Sequence, residues 1–317
     1  MRAEEHLLRS KLSLSKLTAV AGTPDFPVAG FPMKFTWQQE WVAIFDKQVD
    51  LLKEDIARAR VEDRIIVYLS CPISPRGGGF SSTNVEIANH TKRRLMNEFG
   101  YRFWFLNPAE YQMESKEGTG LIRRHARDLG ISDDELKALP KISGGDYMRM
   151  WTRVLVEDDD KQNLGGSFDG YYFLGPSDVR DFLTQGGARS VTAGLEEFFA
   201  RQFATSAEFR DAYSVPDLVW QPDWSEVGTD EDKERAAQAR QDWDDRRRSF
   251  FRYYGLRAGT AFSLGSHDEW NIFLTLNDLR LAKAKGDVGG LLAGYFDGRQ
   301  IDLGAAFVRV SPGYEKS

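Results

Sequence analysis

Strand and helix patterns alternate along the middle of the chain. The run Arg64-Ile-Ile-Val-Tyr-Leu-Ser70 is almost continuously apolar and is bounded by Pro72, Pro75 and three glycines. Such runs are typical of strands that are buried on both faces. A helix pattern over 83–99 follows, and a second strand over 101–106 ends at Asn107-Pro108. This spacing predicts a right-handed βαβ unit.

The same alternation continues toward the C-terminus. A third strand is predicted over 168–174, and a helix over 192–203 begins at Thr192, a residue type that favours helix N-termini. Further helix patterns cover 37–60, 119–139 and 145–160. We therefore predict an α/β fold, a Rossmann-like (flavodoxin-like) parallel sheet with helices on both faces and helical additions at both ends.

Composition shifts divide the chain into three predicted parts. Residues 1–60 form an N-terminal extension and helix, and residues 61–205 form the α/β core. Residues 206–317 form a mostly helical appendage that contains a densely charged stretch over 225–249, a helix pattern over 268–284 and a glycine-rich end. The segment Phe307-Val-Arg-Val310 in that end could add a strand or an oligomer contact.

Composition also excludes several classes of protein. The 317 residues carry 42 Lys and Arg against 48 Asp and Glu, a net charge of −6, which argues against nucleic acid as a partner. The single cysteine, Cys71, excludes a disulfide framework and a thiolate-rich zinc site. Because no apolar run is long enough to span a bilayer, we expect no membrane partner and a cytoplasmic location. The four histidines show no metal-ligand spacing, so no metal is expected.

The loop after the first strand is a candidate anion site, because ligands of open parallel sheets bind at the carboxyl ends of the strands. Three adjacent glycines allow backbone N–H groups to approach an anion closely, and a helix N-terminus follows. A flexible turn explains the glycines equally well. The loop matches neither a Walker motif nor a dinucleotide fingerprint, so it specifies no cofactor. The candidate binding residues are Ser70, Arg76, Gly77, Gly78, Gly79 and Ser81.

Two groups of carboxylates could face that loop. Asp158 and Asp159 lie at the end of the helix predicted over 145–160, where acidic side chains oppose the helix dipole, and a solvated position is the simpler explanation. Glu196 and Glu197 lie in the first turns of the helix after strand three, where ordinary capping also explains them. They point about 100° apart, so at most one can face a common pocket. An anion site beside a carboxylate suits cleavage of a nucleotide's glycosidic bond.

Three motifs occur in the order of a known family. They are Ile66-Val-Tyr-Leu-Ser-Cys-Pro-Ile-Ser-Pro-Arg-Gly-Gly-Gly79, the strand from Asp169 to Gly175, and Thr192-Ala-Gly-Leu-Glu-Glu-Phe-Phe-Ala200. Together they resemble the nucleoside 2-deoxyribosyltransferase superfamily, which includes nucleotide N-glycosidases and cytidylate hydrolases. The likeness covers about 140 residues and departs from the family in the long stretch 176–191 and the insertion 108–143.

The resemblance implies an enzyme that needs no cofactor. Glu196, in Gly194-Leu195-Glu196, matches the nucleophile that attacks C1′ of the sugar, and Asp158 or Asp159 matches the acidic residue that assists proton transfer. Asp169 and Tyr171 fall among the substrate-binding residues, Tyr171 as a ring that could stack on the base. The implied partner is a nucleoside or nucleoside 5′-monophosphate, and the implied assembly is a homo-oligomer. A non-catalytic nucleotide sensor and a glycohydrolase of NAD or another larger nucleotide remain alternatives.

Overall fold

The structure, a computed structural model, describes residues 37–73, 81–158, 164–209, 229–260, 264–302 and 304–305. The helices are α1 (Val42–Val61), α2 (Ser81–Phe99), α3 (Lys116–Asp128), α4 (Asp133–Ala138), α5 (Gly144–Val156), α6 (Pro176–Thr184), α7 (Val191–Thr205), α8 (Asp230–Thr260) and α9 (Leu264–Lys283). The strands are β1 (Ile65–Ser70), β2 (Phe103–Leu106), β3 (Gly170–Phe173), β4 (Ala293–Phe296) and β5 (Arg299–Gln300). Short 3-10 helices cover Gln39–Trp41, Pro108–Tyr111 and Val288–Gly290.

The five strands form one mixed sheet in the order β2-β1-β3-β4-β5. The first four strands are parallel, with Val67 opposite Gly170 and Gly170 opposite Ala293, and β5 runs antiparallel to β4. The structure therefore confirms an α/β fold with a mostly parallel sheet.

The sheet is covered on both faces because β1 is apolar on both of its faces. Ile66 and Tyr68 point into a large core that also contains buried residues of α1, α5 and α9. Val67 and Leu69 point into a smaller core with Leu95, from the second half of α2.

The chain folds into two compact units. Unit 1 comprises Met1–Pro72, Thr91–Leu174 and Phe262–Ser317 and contains the sheet. Unit 2 comprises Ile73–His90 and Gly175–Ala261. It contains the first half of α2 together with α6, α7 and α8, and its core includes the buried rings of Phe182, Phe198, Phe199, Phe203 and Phe209.

The α/β part of the chain extends beyond the predicted boundary at residue 205. β4 pairs with β3, and α9 packs on the same sheet, although both come from the region predicted to be an appendage. The reason is that β4 is only four residues long and contains Gly294, so it lacks the apolar run that identified β1. The predicted strand at 307–310 and most of the N-terminal extension lie outside the described residues.

Two further stretches of the chain differ from the sequence expectation. The pattern over 119–139 forms two helices, α3 and α4, which are separated at Gly130, a residue with a φ of +74° that a helix does not tolerate. The stretch 176–191 begins with helix α6, in which Pro176 occupies the first turn and the Asp178 carboxylate accepts the Gly175 N–H at 2.8 Å.

Candidate functional site

A cavity lies at the carboxyl ends of three parallel strands in unit 1. Its volume is about 240 Å³. Ser70 ends β1, Phe173 ends β3 and Phe296 ends β4, so the cavity occupies the position at which open α/β sheets bind ligands. Its lining residues are Ser70, Phe173, Leu174, Ser266, His267, Trp270 and Phe296. Three aromatic rings therefore form its wall, and the Trp270 ring is 5.1 Å from that of Phe173.

A buried carboxyl group lies directly behind Ser70. Ser70 Oγ donates to Oε2 of Glu269 at 2.5 Å, and Tyr68 Oη donates to Oε1 of the same carboxyl at 2.7 Å. Burial raises the pKa of Glu269 to about 7, although the two hydroxyl donors act in the opposite direction. Glu269 can therefore gain and lose a proton near neutral pH, and Ser70 connects it to the cavity.

The local structure explains why these side chains meet. Tyr68 and Ser70 are two residues apart on β1, so they point to the same face of the sheet. Glu269 lies in the second turn of α9, which packs on that face. Asp268, its neighbour in the helix, is also fully buried, and burial raises the pKa of Asp268 to about 8.

Two other titratable groups near this edge are neutral. Burial lowers the pKa of His267, so its imidazole lacks a charge at neutral pH. Burial also raises the pKa of the Cys71 thiol well above its usual range, and its Sγ lies 3.5 Å from Oδ1 of Asn107. A thiol in this state is a poor nucleophile, because the thiolate is the reactive form.

Of the predicted site residues, Ser70 lines this cavity. Arg76, Gly77, Gly78, Gly79 and Asp159 lie outside the described residues. Ser81 is the first residue of α2, and it belongs to unit 2.

Asp158 lies at the other edge of the sheet, before β3. Its Oδ2 accepts the Leu164 N–H at 2.8 Å. It lines an open groove of about 850 Å³ with Lys53, Arg60 and Arg280, away from the carboxyl ends of the strands.

Glu196 and Glu197 lie on α7 in unit 2. Glu196 is half-buried and Glu197 is exposed. Gly194, which supports the motif assignment of Glu196, contacts a neighbouring helix: a Cβ built on it would lie 1.9 Å from the Leu183 carbonyl oxygen. Helix packing therefore explains this glycine without reference to catalysis, and the nucleophilic role of Glu196 stays a prediction.

Asp169 and Tyr171 do not line the cavity. Asp169 precedes β3 at the amino ends of the strands, where its Oδ2 accepts from Arg60 at 2.6 Å and from the Ile66 N–H at 2.7 Å. Tyr171 is fully buried and its ring is 5.6 Å from that of Tyr68. Asp169 lies at the opposite end of β3 from the cavity. The Tyr171 ring is enclosed by the rings of Tyr68, Phe168 and Phe273.

Asp169→Ala is expected to destabilise the protein by about 1–3 kcal/mol, because the Ile66 N–H would lose its acceptor. Asp169→Asn is the matched variant, since it retains an oxygen acceptor and should recover part of the loss. Urea denaturation measures both. Equal stability of Asp169→Ala and the parent chain would contradict this structural role.

Sequence reasoning missed Tyr68, Asp268, Glu269 and Trp270. A signal was present in the run Ser266-His-Asp-Glu-Trp270, where two acidic residues begin a helix that is otherwise largely apolar on its buried face. Only the packing of α9 on the sheet shows that both carboxyls are buried and that Glu269 contacts Tyr68 and Ser70.

Comparison of the chain with protein-family models, curated proteins and solved structures finds no match. Within the described residues, no helix is long and apolar enough to cross a membrane. The described residues also contain no group of three or more His, Cys, Asp or Glu side chains that could hold a metal ion.

Proposed function

We propose that the chain cleaves the bond between base and sugar in a nucleoside or nucleoside 5′-monophosphate, at the cavity at the carboxyl ends of β1, β3 and β4. The observation that carries the proposal is the buried Glu269 carboxyl, linked through Ser70 to a cavity with aromatic walls. The strand order β2-β1-β3-β4 supports it, because flavodoxin-like sheets bind nucleotides at this edge. The motif resemblance of β1 and its loop to nucleoside 2-deoxyribosyltransferases points to the same chemistry.

Glu269 acts as the general acid in this proposal. A departing base carries negative charge unless it is protonated, and a carboxyl with a pKa near 7 is a suitable donor at neutral pH. In the protonated state the hydrogen bond between Glu269 and Ser70 is reversed, so that the Glu269 carboxyl donates to Ser70 Oγ. Glu269 then gives its proton to Ser70 Oγ, and the Ser70 hydroxyl proton passes to the base as the C1′–N bond breaks. The Glu269 carboxylate formed in this step accepts a hydrogen bond from Tyr68 Oη. Water or an acceptor base then bonds to C1′, and the proton that it loses returns through Ser70 to Glu269.

The aromatic wall holds the base. Phe173, Trp270 and Phe296 present rings to a cavity that has few polar lining groups, which suits a flat heterocycle better than a sugar or a phosphate. His267 and Ser70 supply the polar contacts. The acid step does not depend on Glu196, so the predicted nucleophile and the proposed acid can be tested separately.

Base release from a panel of nucleosides, their 5′-monophosphates and NAD tests the function. The panel is run with the parent chain, with Glu269→Gln, and with Glu54→Gln as a control at an exposed glutamate. Glutamine resembles a protonated glutamate in shape and charge, so Glu269→Gln should fold. We expect free base from a nucleoside or monophosphate, lost in Glu269→Gln and kept in the control.

The other outcomes separate the alternatives. Nicotinamide release from NAD alone would favour a glycohydrolase of a larger nucleotide. Ligand binding without turnover would favour a sensor. Release that survives Glu269→Gln unchanged would remove Glu269 from the reaction.

A further inference from the structure

Two buried carboxyl groups lie side by side at the start of α9, and they differ in their surroundings. Glu269 accepts hydrogen bonds from Tyr68 and Ser70. Asp268 is 0% exposed, and neither of its oxygens has a hydrogen-bond partner among the described residues. A buried carboxylate without a donor or a cation is far less stable than the neutral acid.

No cation compensates for the pair within the described residues. The titratable groups that act on Glu269 or on its partner Tyr68 are Asp268, Cys71 and Tyr171, which are all acids. α5 also packs on α9, but its arginines, Arg149 and Arg153, pair with Asp46. The neighbouring His267 is neutral because burial lowers its pKa. If both carboxyls were ionised, two adjacent negative charges would therefore be buried without a neighbouring positive charge.

We propose that Asp268 is a positioning residue that keeps its proton at neutral pH while Glu269 exchanges one with the cavity, so that the pair carries at most one negative charge there. The two hydroxyl donors stabilise the anion on Glu269 and not on Asp268. Once Glu269 has lost its proton, its charge makes the loss of a second proton from Asp268 harder. The assignment of the proton rests on the contacts of the pair, and its catalytic meaning rests on the proposed function.

A neutral Asp268 allows Glu269 to act as a reversible acid. If Asp268 were ionised, its charge would hold the proton on Glu269 and oppose the donation to Ser70. If both groups were replaced by apolar residues, no proton would be available. Asp268 is not among the described residues that line the cavity, so it acts through Glu269.

Carboxyl ¹³C NMR of the full chain, labelled at Asp and Glu side chains, tests the proton assignment without any substrate. The variants are Asp268→Asn and Glu269→Gln, with Asp278→Asn as a control on the exposed side of the same helix. We expect two carboxyls of the parent chain to titrate above pH about 6. Asp268→Asn should remove the upper titration and leave the lower midpoint in place. Glu269→Gln should remove the lower titration and shift that of Asp268 to lower pH.

Two results would overturn the proposal. Either Asp268→Asn removes no titration above pH about 6, or it moves the Glu269 midpoint clearly downward, which would mean that Asp268 ionises first. If Asp268→Asn fails to fold, the Glu269→Gln spectrum decides alone, because a downward shift of Asp268 is required. A parent chain that shows both titrations but releases no base would remove the proposed function and leave the proton assignment intact.

The pH dependence of stability provides a second readout. Unfolded Asp and Glu titrate near pH 4, whereas both groups of the folded chain titrate near neutral pH, so folding takes up protons between these values. Their contribution to stability is therefore complete below pH about 4 and is lost as the pH rises through about 7 to 8. At pH about 6, Asp268→Asn should reduce the number of protons taken up on folding by about one, whereas Asp278→Asn should leave that number unchanged.

Discussion

Base release by the parent chain is expected to fall about tenfold for each pH unit above pH about 7, and Glu269→Gln is expected to lower it by about 10²–10⁴-fold below that pH. The reason is that only the protonated acid can donate, and ionisation of Glu269 removes the donor. Initial rates of base release between pH 5 and pH 9, with the substrate that the panel identifies, measure both effects.

Two variants separate proton donation from other contributions of this carboxyl. Tyr68→Phe removes one hydrogen bond to Glu269 and retains the ring, so the pKa of Glu269 should rise and the alkaline limb should move to higher pH. Ser70→Ala interrupts the route to the cavity and should lower the rate at every pH. A rate that is independent of pH from 6 to 9 would contradict the role of Glu269 as the acid.

Gly194→Ala is expected to destabilise unit 2 by about 3 kcal/mol, at the upper end of the range for overpacked cores. The added Cβ would lie 1.9 Å from the Leu183 carbonyl oxygen and 2.8 Å from its carbon, so the backbone of α6 or α7 must shift. Gly186→Ala is a suitable control, because no atom lies within 4 Å of its added Cβ. Urea denaturation compares the two.

The outcome also bears on the motif that identified Glu196. A large loss for Gly194→Ala means that close packing of two helices requires this glycine. Equal stability of Gly194→Ala and Gly186→Ala would show that the close approach to α6 does not constrain position 194. Base release by Glu196→Gln then tests the nucleophile directly.

Local patterns in the sequence predict the centre of the sheet well. β1 and β3 are apolar on both faces, α1 shows one buried stripe, and α5 contains apolar residues that are buried around most of the helix, so the positions of these elements follow from local patterns. β4 could not be predicted in this way. Its residues Ala293 to Phe296 are few and contain a glycine, and their place in the sheet depends on pairing with β3.

The candidate site shows the same limit more sharply. Ser70 could be predicted because it ends an obvious strand, whereas a carboxylate on a helix gives no sign of burial until its neighbours are known. Glu196 was predicted to be the nucleophile and Asp158 or Asp159 the residue that assists proton transfer, yet Asp158 lies at the other edge of the sheet. Glu269 became a candidate only through its contacts with Tyr68 and Ser70.

The separation of these partners along the chain has a consequence for folding kinetics. Tyr68 and Glu269 are 201 residues apart in sequence. β3 pairs with β4 only after the chain between them, which includes the long segment Gly175–Ala261 of unit 2, has been made. Contacts of such high contact order require closure of a long loop before they contribute any stability, and parallel pairing of this kind is slow. During synthesis β1, β2 and β3 leave the ribosome first, so β3 presents an unpaired edge until α9 and β4 follow. The contacts of Glu269 with Tyr68 and Ser70, on which the proposed acid depends, therefore form late in folding.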